Sequence, residues 1–450
     1  MKKPLFIRGF FLSPTSNCPL FLFLMIMKIE QIYQLFLQHP TITTDSRNCP
    51  KGAIFFALKG ANFNGNKFAK ETIEKGCSFA FVDEKEYADE KNIFYVDDCL
   101  STLQQLATLH RKTLNTPIIG ITGTNGKTTT KELIASVLKQ KFNILYTQGN
   151  LNNHIGVPLT LLQLKKEHEM AIIEMGANHP GEIKTLVNIA CPNYGIITNV
   201  GKAHIEGFGS FEGVIKTKSE LYDYLKDHNG KAFFNQGNEI LKKVIAEKGL
   251  SSIAYGTGSD TDASILSSDP FLSIQWNGQQ IQTNLIGRYN FENVLAAIAI
   301  GKTFQIATSQ IVAALEAYEP TNNRSQFKKT ANNELIIDAY NANPTSMNAS
   351  LDNFILIQKS NKSVILGDMK ELGVISTTEH QKVADKLNDS SITNIFLIGP
   401  NFAQTNCPKA TKFNDVIALN EYLHSHPLQN SLVLIKGSNS MKLIECINSL

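Results

Sequence analysis

Short runs in which nearly every position is apolar recur along the chain, separated by stretches whose apolar residues return every three or four positions. Between Pro117 and about Leu315, runs such as IIGIT, MAIIE and GIIT alternate with helical patterns such as KTTTKELIASVL. Unbroken apolar strands of this kind are buried on both faces, which predicts a mainly parallel α/β sheet covered by helices. Ahead of it, residues 27–103 hold the β-like runs AIFFAL and SFAFVD, separated by the polar loop KGANFNGNKFAKE. Beyond the turn-rich joint EAYEPTNNRSQ, the runs ELIIDAY, KSVILGDM, NIFLIG and LVLIKGS predict a second, smaller α/β unit. The pattern therefore predicts three domains, at 27–103, 104–319 and 320–450. No internal repeat or low-complexity tract interrupts them.

The first 26 residues do not fit this layout. Two lysines precede an apolar run, Pro19 to Met27, that superficially resembles a signal peptide, but no small-residue cleavage site follows. Nine apolar residues fall far short of the roughly 20 needed to span a bilayer, so no membrane insertion is expected. Met27 opens an amphipathic helical pattern with Ile29, Ile32, Leu35 and Phe36 on one face. We read residues 1–26 as a spurious extension and Met25 or Met27 as the true start.

Composition narrows the partners. The 43 basic and 40 acidic residues leave a formal charge of +3, too balanced for a polyanion-binding surface, so no nucleic-acid partner is expected. Seven scattered cysteines without a C-x-x-C pair suit a reducing cytoplasm and argue against a structural zinc site.

The candidate chemistry begins at GTNGKTTT. Gly123 and Gly126 lack a Cβ, so backbone N–H groups can approach a ligand where a helix begins and free donors point outward. This arrangement cradles a phosphate. Lys127 can reach the terminal phosphates, and the Thr128 hydroxyl can ligate a Mg²⁺ that bridges phosphate oxygens. The spacing departs from G-x-x-x-x-G-K-[ST], because Gly120 lies one residue too early; a plain glycine turn is the alternative. Glu174 ends an apolar strand, where a metal ligand is expected beside such a loop, or it is a strand-capping surface glutamate. His204 follows the next apolar run, and a lone histidine there is more often structural than a ligand. Lys216 and Lys218 precede Glu220 in a helical pattern and face different directions, so one can point inward while the other is solvated.

Taken together, these motifs resemble the Mur ligases, the ATP-dependent amide-forming enzymes of peptidoglycan synthesis, and the resemblance runs from about Met27 to Leu450. GTNGKTTT looks like the family's P-loop, and NLNNHIGVPLTLL like the segment after it. EMGANHPGEI, TNVGKAHIEGFGS and KTKSEL are similar to the segments that carry a metal-binding Glu, His and modified Lys. GRYNFENVLAAIAIG resembles the adenine-side segment with Asn290 and Asn293, although Tyr289 stands where histidine often precedes that asparagine. TTDSR and IFFALKGANFNGNKF look like a UDP-sugar domain led by Asp45, Ser46 and Arg47, with NGNKF in place of the frequent D-G-H-x-F. IIDAYNANPTSMNASLDNF, VILGDMKELGVISTTEH and LVLIKGSNSMKLIE are similar to the branch that adds a terminal dipeptide. The D-N-P-R element of the branch that adds the third amino acid is missing, and the GTNGKG form of folylpolyglutamate synthases is replaced.

The resemblance implies a small N-terminal α/β UDP-sugar domain, a central P-loop ATPase-like parallel α/β domain and a C-terminal Rossmann-like α/β domain. It implies a monomeric cytoplasmic ligase that joins D-alanyl-D-alanine to UDP-N-acetylmuramoyl-tripeptide with ATP. Gly123, Thr124, Asn125, Gly126, Lys127, Thr128, Thr129, Asn290, Asn293, Arg324 and Asp338 are implied to bind ATP. Two Mg²⁺ ions are implied, one held by Thr128 and Glu174, the other by Glu174, His204 and Lys218 as a carbamate. Lys127, Glu174, His204 and Lys218 are the implied catalytic set. The alternative for Asp338, Asn341 and Asn343 is that they are residues satisfying a turn. Other readings stay open at this level: another Mur-type ligase, a P-loop kinase, or a non-catalytic ATP-switched interaction module. Domain closure over ATP is expected, with hinges near Pro320 and near residue 103.

Overall fold

A computed structural model of the protein describes residues 27–89 and 91–450, so the reading of residues 1–26 as an extension lies outside the described residues. The chain divides near Cys99 into two compact units. In the first, four strands lie in the order Ile42–Thr43, Ile54–Phe56, Phe79–Val82, Ile93–Tyr95. The last three pair in parallel, with Phe55 opposite Ala80 and Phe81 opposite Phe94. Ile54, Phe55, Phe56, Phe81 and Val82 are buried. Helix Ile29–Gln38 buries Ile32 and Phe36 of the expected face together with Tyr33, while Ile29 and Leu35 are half-buried.

The second unit holds two six-stranded sheets and a smaller one. Its first sheet is parallel throughout, in the order Ser252–Tyr255, Lys231–Asn235, Tyr194–Ile197, Ile118–Thr122, Met170–Glu174, Ile144–Tyr146. After Ile118–Thr122 the chain runs to one edge and back, then crosses to the other side of that strand. This reversal opens a crevice at the carboxyl ends of the central strands. Register brings Ile121 level with Glu174 and Thr122 level with Ile197, so three loops converge there. Helices Lys127–Leu138 and Phe291–Thr303 share one core, with Leu133, Ile134 and Val137 packed among Val294, Ala297 and Ile300.

Strands Ser264–Ser268, Phe271–Trp276 and Gln279–Ile286 form a separate antiparallel sheet, which the expected strand–helix alternation did not anticipate. Its signal is present in the sequence: Asn277-Gly278 separates two strands, and both residues take positive φ (48° and 74°), as a two-residue hairpin turn requires.

The second six-stranded sheet runs Gln326–Lys329, Glu334–Asp338, Leu432–Lys436, Lys362–Gly367, Asn394–Ile398, Ala410–Phe413. Only the first strand is antiparallel. The four central strands are the apolar runs read from the sequence, and the two edge strands are half-exposed and too mixed to stand out. Cores cover both faces, around Met347, Leu351 and Phe354 on one side and Leu419, Leu423 and Val433 on the other. Cys49, Cys77, Cys99, Cys191, Cys407 and Cys446 carry free thiols. Among the described residues no helix is long and apolar enough to cross a membrane.

Candidate active site

The loop between strand Ile118–Thr122 and helix Lys127–Leu138 turns on two glycines with positive φ, Gly123 at 141° and Gly126 at 79°. A Cβ on Gly123 would lie 2.0 Å from the Thr198 hydroxyl oxygen and 3.0 Å from the Thr198 backbone nitrogen. Only glycine fits there. Gly123→Ala is therefore expected to cost about 1–3 kcal/mol of stability and to weaken nucleotide binding, measured by thermal unfolding and ATP-analogue titration. The loop is held from the neighbouring strand end, where Asn199 Oδ1 accepts from Asn125 N (3.0 Å) and Thr198 Oγ1 donates to Asn125 O (2.6 Å).

A cavity of about 1020 Å³ opens over this loop, lined among others by Lys127, Asn152, Glu174, His204, Arg324 and Asp338. Lys127, half-buried, folds back on its own loop, with Nζ donating to Gly123 O (2.8 Å) and Thr124 O (3.1 Å). Burial lowers its pKa to about 8, against the attraction of Glu174 and with the repulsion of Arg324. A phosphate there would replace two carbonyl acceptors with full negative charge.

Glu174 is buried at its strand end. Oε1 accepts from Thr128 Oγ1 (3.2 Å) and Asn152 Nδ2 (2.8 Å), and its backbone N–H donates to Thr147 Oγ1 (2.9 Å). Among the described residues Oε2 has no hydrogen-bond partner, and the Lys131 ammonium stands 3.8 Å away. A buried, unbonded carboxylate oxygen beside a phosphate cradle is a vacancy in bonding that a hard cation satisfies, so these residues fit Mg²⁺. Among the described residues no three His, Cys, Asp or Glu side chains gather closely enough to hold a metal by themselves. Asn152, Thr147 and Lys131 were not singled out from the sequence. Lys131 had a legible position, four residues after Lys127 on the same helix face.

His204 sits at the start of the short helix Ile205–Phe208 with φ 52°, and its Nδ1 is bonded to Glu371 Oε2, from the loop after strand Lys362–Gly367. Burial lowers its pKa, opposed by the Glu371 charge and aided by Lys127 and Lys218. Lys218 lies on helix Phe211–Asp227, buried, with Nζ donating to Ala177 O (3.1 Å) and 5.2 Å from the centre of the Phe208 ring. Lys216 is exposed, so the two lysines part as their spacing implied. Glu220 accepts from Gly181 N (3.1 Å) and Lys184 N (2.7 Å), stitching this helix to the start of helix Glu182–Ala190.

On the opposite wall, Asn290 and Asn293 spend much of their bonding on the scaffold: Asn293 Nδ2 donates to Asn290 Oδ1 (2.8 Å), and Thr130 Oγ1 donates to Asn293 Oδ1 (3.0 Å). Tyr289 bonds Ser325 through its hydroxyl (2.8 Å). Arg324 stacks over the Tyr340 ring at 3.9 Å. Asp338 accepts from Lys436 Nζ (2.5 Å) and Ser350 Oγ (3.3 Å), Lys436 being its register partner on the adjacent strand. Asn343 does serve its turn, capping helix Pro344–Leu356 through Ser346 N (2.9 Å), and it also donates to Asn125 Oδ1 (2.8 Å) of the phosphate loop. The structure thus brings Lys127, Glu174, His204, Arg324 and Asp338 to one cavity, while Thr128 and Lys218 are buried and bond Glu174 and Ala177, which line it.

Asp45, Ser46 and Arg47 belong to the first unit, on the turn after Thr43. Asp45 accepts from the Arg47 backbone N, Nε and Nη2, each at 2.9 Å, and the Arg47 guanidinium holds its carboxyl down at about 2. Ser46 offers its carbonyl to Lys75 Nζ (3.0 Å).

A strand–loop–helix phosphate cradle with a buried carboxylate on the neighbouring strand defines the class: a P-loop nucleotide-using α/β enzyme. Family profiles match at residues 40–111 (Mur ligase family, catalytic domain), 121–301 (Mur ligase middle domain) and 323–439 (Mur ligase, glutamate ligase domain). The chain belongs to the Mur ligase family. It is similar to the UDP-N-acetylmuramoyl-tripeptide–D-alanyl-D-alanine ligase of Bacillus subtilis, 32% identical over 91% of this chain and 92% of that one. The enzyme of that name from Escherichia coli is also 32% identical, over 91% and 93%. Among solved structures, MurF from Acinetobacter baumannii is similar at a TM-score of 0.83 and 31% identity, covering 91% of this chain and 93% of that one. MurF ligase from Thermotoga maritima, solved in complex with ADP, shares the fold at a TM-score of 0.82 and 24% identity, over 92% and 97%.

Proposed function

We propose that the chain joins D-alanyl-D-alanine to UDP-N-acetylmuramoyl-tripeptide at the expense of ATP, giving the UDP-linked pentapeptide of peptidoglycan synthesis. Similarity along nearly the whole chain to ligases of that specificity supports the substrates. The observation that carries the chemistry is the meeting of the phosphate loop, Glu174 and the Arg324–Asp338 wall in one cavity.

A carboxylate is a poor electrophile, and acyl transfer from it needs a better leaving group. The tripeptide's terminal carboxylate oxygen would attack the γ-phosphorus of ATP, breaking its bond to the β-phosphate bridge and releasing ADP. The dipeptide amine would then add to the acyl-phosphate carbonyl, lose a proton and expel phosphate. Catalysis of this kind rests on positioning and charge neutralisation. Backbone N–H groups of Gly123, Gly126 and Lys127 would cradle the phosphates, with Thr124 and Asn125 braced by Asn199, and Lys127 would leave its loop carbonyls to balance charge on the transferred group. Asn290 and Asn293 would border the adenine, and Arg324 and Asp338 the rest of the nucleotide. Asp45, Ser46 and Arg47 would contact the UDP moiety.

Thr128 and Glu174 would hold one Mg²⁺, and Glu174, His204 and Lys218 as a carbamate a second. Bound there, the ions supply positive charge against the phosphate oxygens. The reading includes a monomer working in the cytoplasm.

The test is an assay with ATP and UDP-tripeptide, with and without D-alanyl-D-alanine, using tripeptides that end in diaminopimelate or lysine. Phosphate and UDP-pentapeptide are expected together, only when the dipeptide is present. A phosphorylated tripeptide as final product would mean a kinase, and nucleotide turnover without pentapeptide would mean a switch module. Small-angle scattering is expected to show compaction when an ATP analogue and UDP-tripeptide are added; identical profiles would remove closure from the reading.

A further inference from the structure

Two residues with side chains bonded to one another hold backbone conformations that non-glycine residues rarely take. His204 has φ 52° and Glu371 has φ 61°. Strained positions of this kind persist only where the surroundings over-determine them, and they cluster at functional sites. His204 belongs to the parallel sheet that carries the phosphate loop, and Glu371, 167 residues later, to the C-terminal sheet. The Glu371 loop is firmly seated. Leu372 is buried, Lys370 N donates to Ser438 Oγ (3.1 Å), and the wholly buried Asp368 at its base accepts from Asn401 N (3.0 Å) and Phe402 N (3.0 Å). On the other side, a Cβ on Gly373 would stand 3.4 Å from Glu206 Cβ, two residues past the histidine.

We propose that Glu371 is a positioning residue for His204. A carboxylate can only accept, so the ring donates from Nδ1, and in the neutral imidazole Nε2 then keeps a lone pair; His204 helps to line the cavity. Among the described residues Nε2 makes no hydrogen bond. Histidines that ligate metals commonly give their other ring N–H to a carboxylate or carbonyl, which fixes tautomer and ring orientation. An imidazole is not the preferred ligand of a hard cation, so its orientation matters more here than for zinc. Because the carboxylate comes from the C-terminal sheet, the ligand is set only while the two sheets' loops are in contact. Metal-site assembly is thereby tied to domain arrangement. This inference rests on the reading of His204 as a metal ligand.

The test uses Mn²⁺ as the probe, its binding to the full chain with a non-hydrolysable ATP analogue followed by electron paramagnetic resonance. Glu371→Ala is expected to weaken Mn²⁺ binding by about 10–100-fold, with the unfolding midpoint and metal-free nucleotide affinity unchanged. Glu371→Gln, whose amide oxygen still accepts from Nδ1, is expected to recover most of the loss. In turnover, kcat is expected to fall in Glu371→Ala while KM for the UDP-tripeptide stays. His204→Ala is the control. If it leaves Mn²⁺ binding intact, the metal role of His204 fails and the proposal with it. If His204→Ala weakens binding while Glu371→Ala does not, only the proposal is overturned. Glu371→Gln as weak as Glu371→Ala would also overturn it, because a neutral acceptor would then fail to do what orientation alone requires.

Discussion

Lys127→Ala is expected to lower kcat for ligation by about 10³-fold or more while leaving the unfolding midpoint unchanged or raised. The lysine is half-buried on its loop; among the described residues its ammonium bonds the carbonyls of Gly123 and Thr124, and it stands where phosphate charge would arrive. Its effect on stability follows from its lowered pKa, near 8 rather than about 10.4. The folded state binds fewer protons than the unfolded chain between those values, so the ammonium costs stability below about pH 8, and the cost fades as pH rises towards 10.4. Removing it at pH 7 removes that cost together with two hydrogen bonds. A loss of activity with an intact melt therefore separates chemistry from unfolding. Near-normal ligation by the variant would remove the phosphate-loop assignment.

What could be read from the chain beforehand follows the range of the interactions involved. The phosphate loop is local: two glycines, a lysine and a helix start lie within six residues, and the structure folds them as their chemistry demands. Glu174 was legible because a strand's end is a place in sequence as well as in space. The partners that define its state were not. Asn152 and Thr147 reach it from the connection after strand Ile144–Tyr146 and Lys131 from the helix of the phosphate loop, and although the helix face of Lys131 and the segment around Asn152 could be seen in the sequence, their meeting at Glu174 is set by the fold. Glu371 is the extreme case, a polar residue in a loop whose partner lies on another sheet. The antiparallel sheet was missed for a different reason. Asn277-Gly278 was a local signal that the expectation of parallel alternation overrode. Asn343 shows that the turn reading and the site reading were not rivals, since one side chain caps a helix and braces the phosphate loop.

Lys218→Arg is expected to eliminate ligation, with a loss of about 10³-fold or more, whereas Lys216→Arg is expected to be mild. An ammonium has no lone pair and repels Mg²⁺, so Lys218 can serve a metal only after its neutral amine adds to CO₂. In that step the nitrogen lone pair forms a C–N bond to carbon, one proton leaves, and the product carries a carboxylate-like pair of oxygens. The structure supplies the condition the step needs. Burial, helped by the charge of Lys127 and opposed by Glu182 and Glu220, lowers the Lys218 pKa to about 7, so much of the amine is neutral at physiological pH. The same shift means that unmodified Lys218 costs stability most below pH 7, and that the cost is relieved as pH rises towards 10.4. Carbamate formation would exchange that penalty for a ligand. Arginine keeps the length but stays protonated and cannot react, while Lys216, exposed on the other face of the helix, has no such environment. Enzyme prepared in ¹³C-bicarbonate with nucleotide bound is expected to show a carbamate resonance that is absent from Lys218→Arg. An unmodified side chain in a high-resolution map under those conditions would defeat the assignment, and so would a fully active Lys218→Arg variant.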